Sequence, residues 1–331
     1  MPPIMADPFE HEMGFHCATT ALRSLLKHFG VDFSEPMCLG LGMGLNFFYG
    51  EGEDFNPTRY FMSRSGVLEE DFFRILRIDA PMKRHDGVEQ SWSGVKGLVE
   101  KQHPVMVQVD IEGLPYYNTR THFAGHKVLI AGFDPETEDV FISDSEFPDL
   151  QVVTLDQIQR ARFFPDMPWD LSYQWWDLRS VRVTAPLEEA VPRALSECAK
   201  RIVGDETGLF GISAMRRMTK SLPDWDRTED WQWCARFGYQ VIEKRGTGGG
   251  GFRNKYAEFL SEAACYDPRI EKLDLVRRME EIAASWTAFA EMLLQISDLE
   301  EPSGFDEAAK IFGKLTGREE SFFTDVLRAE G

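Results

Sequence analysis

Apolar residues at Leu22, Leu25, Leu26 and Phe29 follow the i, i+3, i+4, i+7 spacing of a buried helix face, which predicts a helix over 18–29. Gly30 is its natural stop. A glycine-rich turn region, "CLGLGMGLNFFYG", comes next, and "LEEDFFRIL" reads as a short helix. Strand-sized apolar runs then appear: "PVMVQVD" (104–110), "KVLIAGFD" (127–134) and "DVFISD" (139–144), the last two joined by "PETE". A further run, "LQVVTL", leads into a helix at 155–162. The Pro- and Trp-rich stretch 163–178 marks a boundary. Beyond it helical periodicity predicts helices at 188–203, 207–221, 228–244, 252–265, 269–297 and 305–328, while "SVRVTA" (180–185) reads as one more strand of the first sheet. The pattern is an α+β domain, 1–165, followed by a mostly α-helical domain, 166–331.

Charge and cysteine usage narrow the setting. Thirty-six Lys and Arg against 55 Asp and Glu give a net charge of −19, which argues against nucleic acid or an anionic membrane as a general partner. The five cysteines (17, 38, 198, 234 and 265) are widely spaced, with no C-x-x-C, as expected of a reducing, cytoplasmic compartment. No basic segment followed by an apolar core opens the chain, and its longest apolar runs are far short of a membrane span. All seven histidines lie within the first 126 residues, so any cysteine–histidine chemistry draws its imidazole from that part. No His-x-x-x-His or carboxylate pair has convincing ligand spacing, so neither a metal nor another cofactor is expected.

Cys17 stands where the first helix begins. There the free N–H groups of the first turn would favour a thiolate, and its own N–H could serve an oxyanion. An isolated cysteine before a helix is more often a small packing residue. His126 immediately precedes one strand and Asp144 ends the next. If 127–133 and 139–145 form an antiparallel hairpin turning near Pro135–Glu136, His126 lies opposite or diagonal to Asp144 on one face. A carboxylate so placed fixes an imidazole tautomer while the other ring nitrogen serves a thiol. Spacing alone does not bring Cys17 to them.

Taken in order, "HCATTALRSLLKHFG", "GLGMGLNFFY", "PTRYFMSRSG", "LEEDFFRIL", "PVMVQVD", "LPYYNTRTHFAGHKVLIAGFD" and "VFISDSE" resemble the N-terminal domain of the butirosin biosynthesis protein H family, over about residues 11–165. The resemblance implies a papain-like fold, similar in its Cys…His…Asp spacing to bacteriocin-processing cysteine peptidases. It also implies an acyltransferase that takes an aminoacyl group from a carrier-protein thioester to an amine. Carried over, Cys17 is the nucleophile, His126 the base and acid, and Asp144 the orienter. The related peptidases carry a glutamine oxyanion donor a few residues before the cysteine; six residues back, this chain has His11. The helical part resembles the domain of unknown function that often follows in this family.

Other residues are candidates with plain structural alternatives. Asn118, Arg120 and His122 stand near the presumed cleft mouth, where Arg120 could pair a substrate carboxylate and His122 could contact substrate or compete as base. His16 reads as structural. The segment "GTGGGG" leads into a helix bearing Arg253 and Lys255, a cradle for phosphate or carboxylate or else a flexible linker. "GLGMGLN" (40–46) follows no strand and reads as a turn lining the cleft rather than a dinucleotide loop. The helix near 269–297 is expected to pack internally, with a homodimer surface as an added expectation. The expected partners are an acyl carrier protein or other acyl thioester and a small-molecule amine. Against an acidic carrier the negative charge counts, unless Lys200, Arg201, Arg216, Arg217 and Lys220 form a basic patch. A hydrolase with the same triad and a non-catalytic binding module are the rival readings.

Overall fold

A computed structural model describes residues 2–85, 87–164 and 172–329. It is a mixed α/β chain whose C-terminal part is helical. The chain forms two compact units, one of residues 1–38 and 76–184, the other of 39–75 and 185–331. The boundary expected between residues 165 and 166 lies outside the described residues.

The first unit is built on a seven-stranded antiparallel sheet. Its strands lie in the order Met82–Lys83, Trp175–Trp176, Val105–Val109, His126–Phe133, Asp139–Ser143 and Gln151–Thr154, with Ile4–Met5 also pairing with His126–Phe133. The two central strands, Val105–Val109 and His126–Phe133, are buried along their whole length. That explains why they read as unbroken apolar runs rather than alternating ones. A core of Val107, Val128, Ile130, Val140 and Ile142 packs against Trp92, Val95 and Leu98 of helix Val88–Val99 and Ile158 of helix Leu155–Ala161. At about 1.5–3 kcal/mol for each such fully buried aliphatic side chain, this cluster holds the sheet that carries the site.

Helix Cys17–His28 packs on the same central strand, with Leu22, Leu25 and Leu26 wholly buried as their spacing requires. Gly30, at φ +80°, ends it in a Schellman motif: Val31 N–H bonds Leu26 O at 3.0 Å and Gly30 N–H bonds Lys27 O at 3.0 Å.

The sequence reading is corrected at several elements. Residues 180–185 form no strand; they alternate in polarity but have no ladder partner among the described residues, and pattern without pairing is not a strand. The turn region around 40–46 is instead the end of helix Glu35–Leu41, a short turn and the start of strand Leu45–Glu51, which pairs with Arg59–Arg64 in the second unit. The expected long helix at 269–297 is interrupted at Asp274, whose φ of +53° separates Arg269–Lys272 from Leu275–Ser297. Helix Val88–Val99, broken by two glycines in the sequence, was not legible as one.

The second unit is a helical assembly around Leu275–Ser297. Its apolar stripe of Met279, Ile282, Trp286, Phe289 and Leu293 is consumed by packing against Trp231–Glu243, Arg253–Ala263 and Phe305–Arg328. At its centre Arg253 and Glu319, both essentially inaccessible to water, form a two-pronged ion pair at 2.7 and 3.0 Å. The other arm of the guanidinium donates to Ser63 O and Gly251 O, each at 2.7 Å, and its plane lies over the Trp286 ring at 4.7 Å. Removing one partner of such a pair strands a buried charge. Arg253→Met is therefore expected to lower the stability of the second unit by about 3–5 kcal/mol in urea unfolding, with no change in affinity for phosphate.

Candidate active site

Every element of the site belongs to the first unit. Cys17 is the first residue of its helix, and His16, in extended conformation, is the N-cap with no side-chain cap. The capping work falls to the Glu35 carboxylate. It accepts from Phe15 N at 3.3 Å, His16 N at 3.4 Å and the Thr19 and Thr20 hydroxyls at 2.9 Å each, and it pairs with Arg23 at 3.3 Å. A buried anion at a helix N-terminus is where the helix dipole favours it. Gly14 makes this possible: a Cβ there would lie 2.0 Å from Thr20 Oγ1 and 2.2 Å from Glu35 Oε1. The opening of "GFHC" is thus a clearance for the carboxylate that sets the helix start.

The hairpin places the second and third residues. Leu129 faces Ser143 and Ile130 faces Ile142. Carried on past the strand end, this register sets Val128 opposite Asp144 and His126 diagonal to it. The two side chains meet: His126 Nε2 lies 2.9 Å from Asp144 Oδ2, with both residues buried. An ionised carboxylate only accepts, so Nε2 carries the proton and Nδ1 is the ring nitrogen left for a thiol. The Cys17 side chain hydrogen-bonds the same imidazole. Burial works against the imidazolium, but the charge of Cys17 and the hydrogen bond and charge of Asp144 outweigh it and push His126 up to about 10. For Asp144 burial raises the pKa, yet the neighbouring imidazolium, the Glu146 N–H and the Tyr116 hydroxyl hold the carboxyl below its ordinary value. Cys17, His126 and Asp144 are therefore brought together as a thiol, an imidazole and a carboxylate.

Two phenols complete the surroundings. Tyr116 donates to Asp144 Oδ2 at 3.0 Å and Tyr117 to Asp144 Oδ1 at 3.3 Å, with the Tyr117 oxygen also 3.1 Å from His126 Nε2. Sequence reasoning passed over both, although the tandem pair sits in the quoted "LPYYNTRTHF". Glu35 and Glu146 were passed over too. Burial raises the Glu146 carboxyl, and its N–H bonds Asp144 Oδ1 at 3.3 Å.

The remaining candidates are placed elsewhere or otherwise engaged. His11 has both ring nitrogens in use, with Nδ1 2.7 Å from Ser143 Oγ and Nε2 donating to Phe147 O at 2.8 Å. An oxyanion role would require breaking this bridge between the N-terminal segment and the hairpin end. His122 is exposed and sits on Asp110 at 2.8 Å, not on the thiol. Asn118 and Arg120 line a shallow open groove with Glu112, Leu114, Pro115 and Thr119. Arg253 is buried in its ion pair and Lys255 is held by Glu258 at 2.9 Å, so neither stands ready for an anion. Two N–H groups of the glycine segment are likewise spent internally, Gly249 on Thr247 Oγ1 and Gly250 on Glu243 Oε1, each at 3.1 Å. Of the expected basic patch, Arg201 pairs with Asp71 at 2.7 Å, Arg216 with Glu320 at 2.6 Å, and Arg217 bonds the Tyr49 carbonyl. Among the described residues no group of three or more His, Cys, Asp or Glu could hold a metal ion, and no helix is long and apolar enough to cross a membrane.

The first unit thus carries a buried cysteine, histidine and aspartate cluster, and comparison with known families adds the following. The N-terminal pattern of butirosin biosynthesis protein H matches residues 16–145, and the Domain of unknown function (DUF4872) matches residues 156–326. The chain belongs to the butirosin biosynthesis protein H family, a biosynthetic one, with its N-terminal domain followed by a domain of unknown function. No curated protein matches it.

Because the His126 pKa lies above the unfolded value of 6.5, the stability it contributes is full below pH 6.5 and fades as pH rises toward 10. Unfolding measured between pH 6.5 and 10 is expected to show that decline in the wild type and a flatter profile in His126→Gln. Glu35→Gln keeps the shape but removes the charge. It is expected to cost about 1–3 kcal/mol in the same assay and to slow Cys17 alkylation by loosening the helix start.

Proposed function

We propose that the chain is a cysteine-dependent acyltransferase that moves an acyl or aminoacyl group from a carrier-bound thioester to an amine, in natural-product biosynthesis. The observation that carries this reading is the Cys17–His126 hydrogen bond backed by Asp144. Membership of a biosynthetic family supports it. The papain-like assignment of the first unit belongs to the same proposal.

The steps follow from the groups present. The Cys17 thiolate attacks the donor thioester carbonyl, and the carbonyl π electrons move to oxygen. The Cys17 N–H, at the head of the helix, is the first donor for that oxyanion. As the tetrahedral species collapses, the donor carbon–sulfur bond breaks and the departing thiolate takes the proton from His126 Nδ1. One thioester replaces another, so this half is nearly isoenergetic. An amine then attacks the acyl-enzyme. Nδ1 accepts its proton, the Cys17 sulfur leaves as thiolate paired again with the imidazolium, and an amide is released. Asp144 keeps the ring in one tautomer throughout and offsets its charge. No nucleotide is consumed, because the thioester already carries the activation.

Intact-mass measurement tests the first half-reaction. Incubation with an acyl-pantetheine thioester is expected to add one acyl group to the wild type and none to Cys17→Ala. Supplying amines then tests the second: the yield of amide should rise with amine concentration at the expense of free acid. Free acid alone at every amine concentration would instead make the enzyme a hydrolase, and an unmodified wild type would leave a binding module.

A further inference from the structure

The Asp144 carboxylate has no access to solvent, and His126 alone does not fill its hydrogen-bonding capacity. Besides the Glu146 N–H on Oδ1, the remaining donors come from one short segment. Residues Pro115–Tyr117 form a single 3₁₀ turn, closed by Asn118 in the left-handed region at φ +46°. Asparagine tolerates that conformation well. The turn is anchored at its base: Asp110 N–H bonds Ala161 O at 2.7 Å, and Gly113 approaches Ala161 so closely that a Cβ would lie 2.6 Å from its Cα. On the other side the Tyr116 and Tyr117 rings meet Phe147 edge-on, with centroids 4.9 and 5.1 Å away. Both hydroxyls are thereby aimed at the carboxylate, one per oxygen.

We propose that Tyr116 and Tyr117 are positioning residues of this site, a two-phenol clamp that fixes the Asp144 carboxylate against the His126 ring. This rests on the reading of Cys17, His126 and Asp144 as the reacting relay. Without the clamp the carboxylate would still face His126 but with lone pairs unsatisfied in a dry site, a costly arrangement. Burial, and then the charge of Asp144, push both phenols well above the ordinary tyrosine range, so they remain donors over the working pH range. Other charged groups around the carboxylate are His126, Cys17 through the ring, and Glu146. Glu146 gives one backbone N–H to Oδ1, and its acidic side chain does not replace the lost donors.

The test uses Tyr116→Phe, Tyr117→Phe and the double variant in the full-length protein, each removing only a hydroxyl. The carboxyl ¹³C resonance of Asp144 is followed against pH, and so is the rate of Cys17 alkylation by iodoacetamide. Each phenol lost is expected to move the Asp144 titration, and with it the acid limb of alkylation, upward by about 0.5–1 unit. The double variant should move it further. A purely structural role would reduce the folded fraction and leave both curves in place, and an Asp144 titration superimposable on the wild type in the two single variants overturns the clamp. Should the double variant fail to fold, the single variants decide the matter. A wild-type Cys17 that reacts no faster than the exposed Cys265 at pH 6 would count against the acyltransferase reading, while the Asp144 resonance still judges the tyrosines.

Discussion

A carboxylate wholly withdrawn from water, Asp144, governs the first unit. Burying an anion is expensive unless its lone pairs are met, and each neighbouring feature supplies part of that need. The hairpin register delivers His126, the turn after Val109 delivers two phenols, and the backbone beyond the strand delivers the Glu146 N–H. Once satisfied, the carboxylate favours a protonated imidazole on the buried His126 ring, beside Cys17. The order of dependence runs from anion to ring to sulfur. The sulfur is the last member to be placed.

Much of this was legible from pattern. The period of the first helix, the two strands flanking "PETE" and the succession of C-terminal helices are local signals, and local signals survive folding. The diagonal meeting of His126 and Asp144 followed from strand arithmetic alone. What pattern could not reach was the support. Glu35 meets the start of the first helix from 18 residues after Cys17, and Tyr116 and Tyr117 look like ordinary loop aromatics until the turn places them. Such groups are chosen by the vacancies that tertiary structure leaves, and no spacing rule announces a vacancy.

Arg253, Lys255, Arg201, Arg216 and Arg217 share one feature: a sequence shows a basic residue without its partner, and the fold supplies one to each. In a chain with so large an excess of carboxylates, a basic side chain seldom stays unclaimed. Arg253 is the extreme case: its guanidinium forms the interior of the second unit, and its donors are matched to Glu319 and two main-chain oxygens. The glycines before it bend the chain tightly enough to bring that arginine inward, a packing role that imitates an anion loop in sequence.

The interleaving of the two units also bears on how the chain is made. Residues 39–75 belong with 185–331, so the polypeptide leaves the first unit and returns to it before that unit is complete. On the ribosome the ribbon of Leu45–Glu51 and Arg59–Arg64 emerges long before the helices it packs with, and it must wait, with its aromatic residues uncovered, until translation is nearly finished. A protein cut at the family boundary would carry that orphan segment permanently.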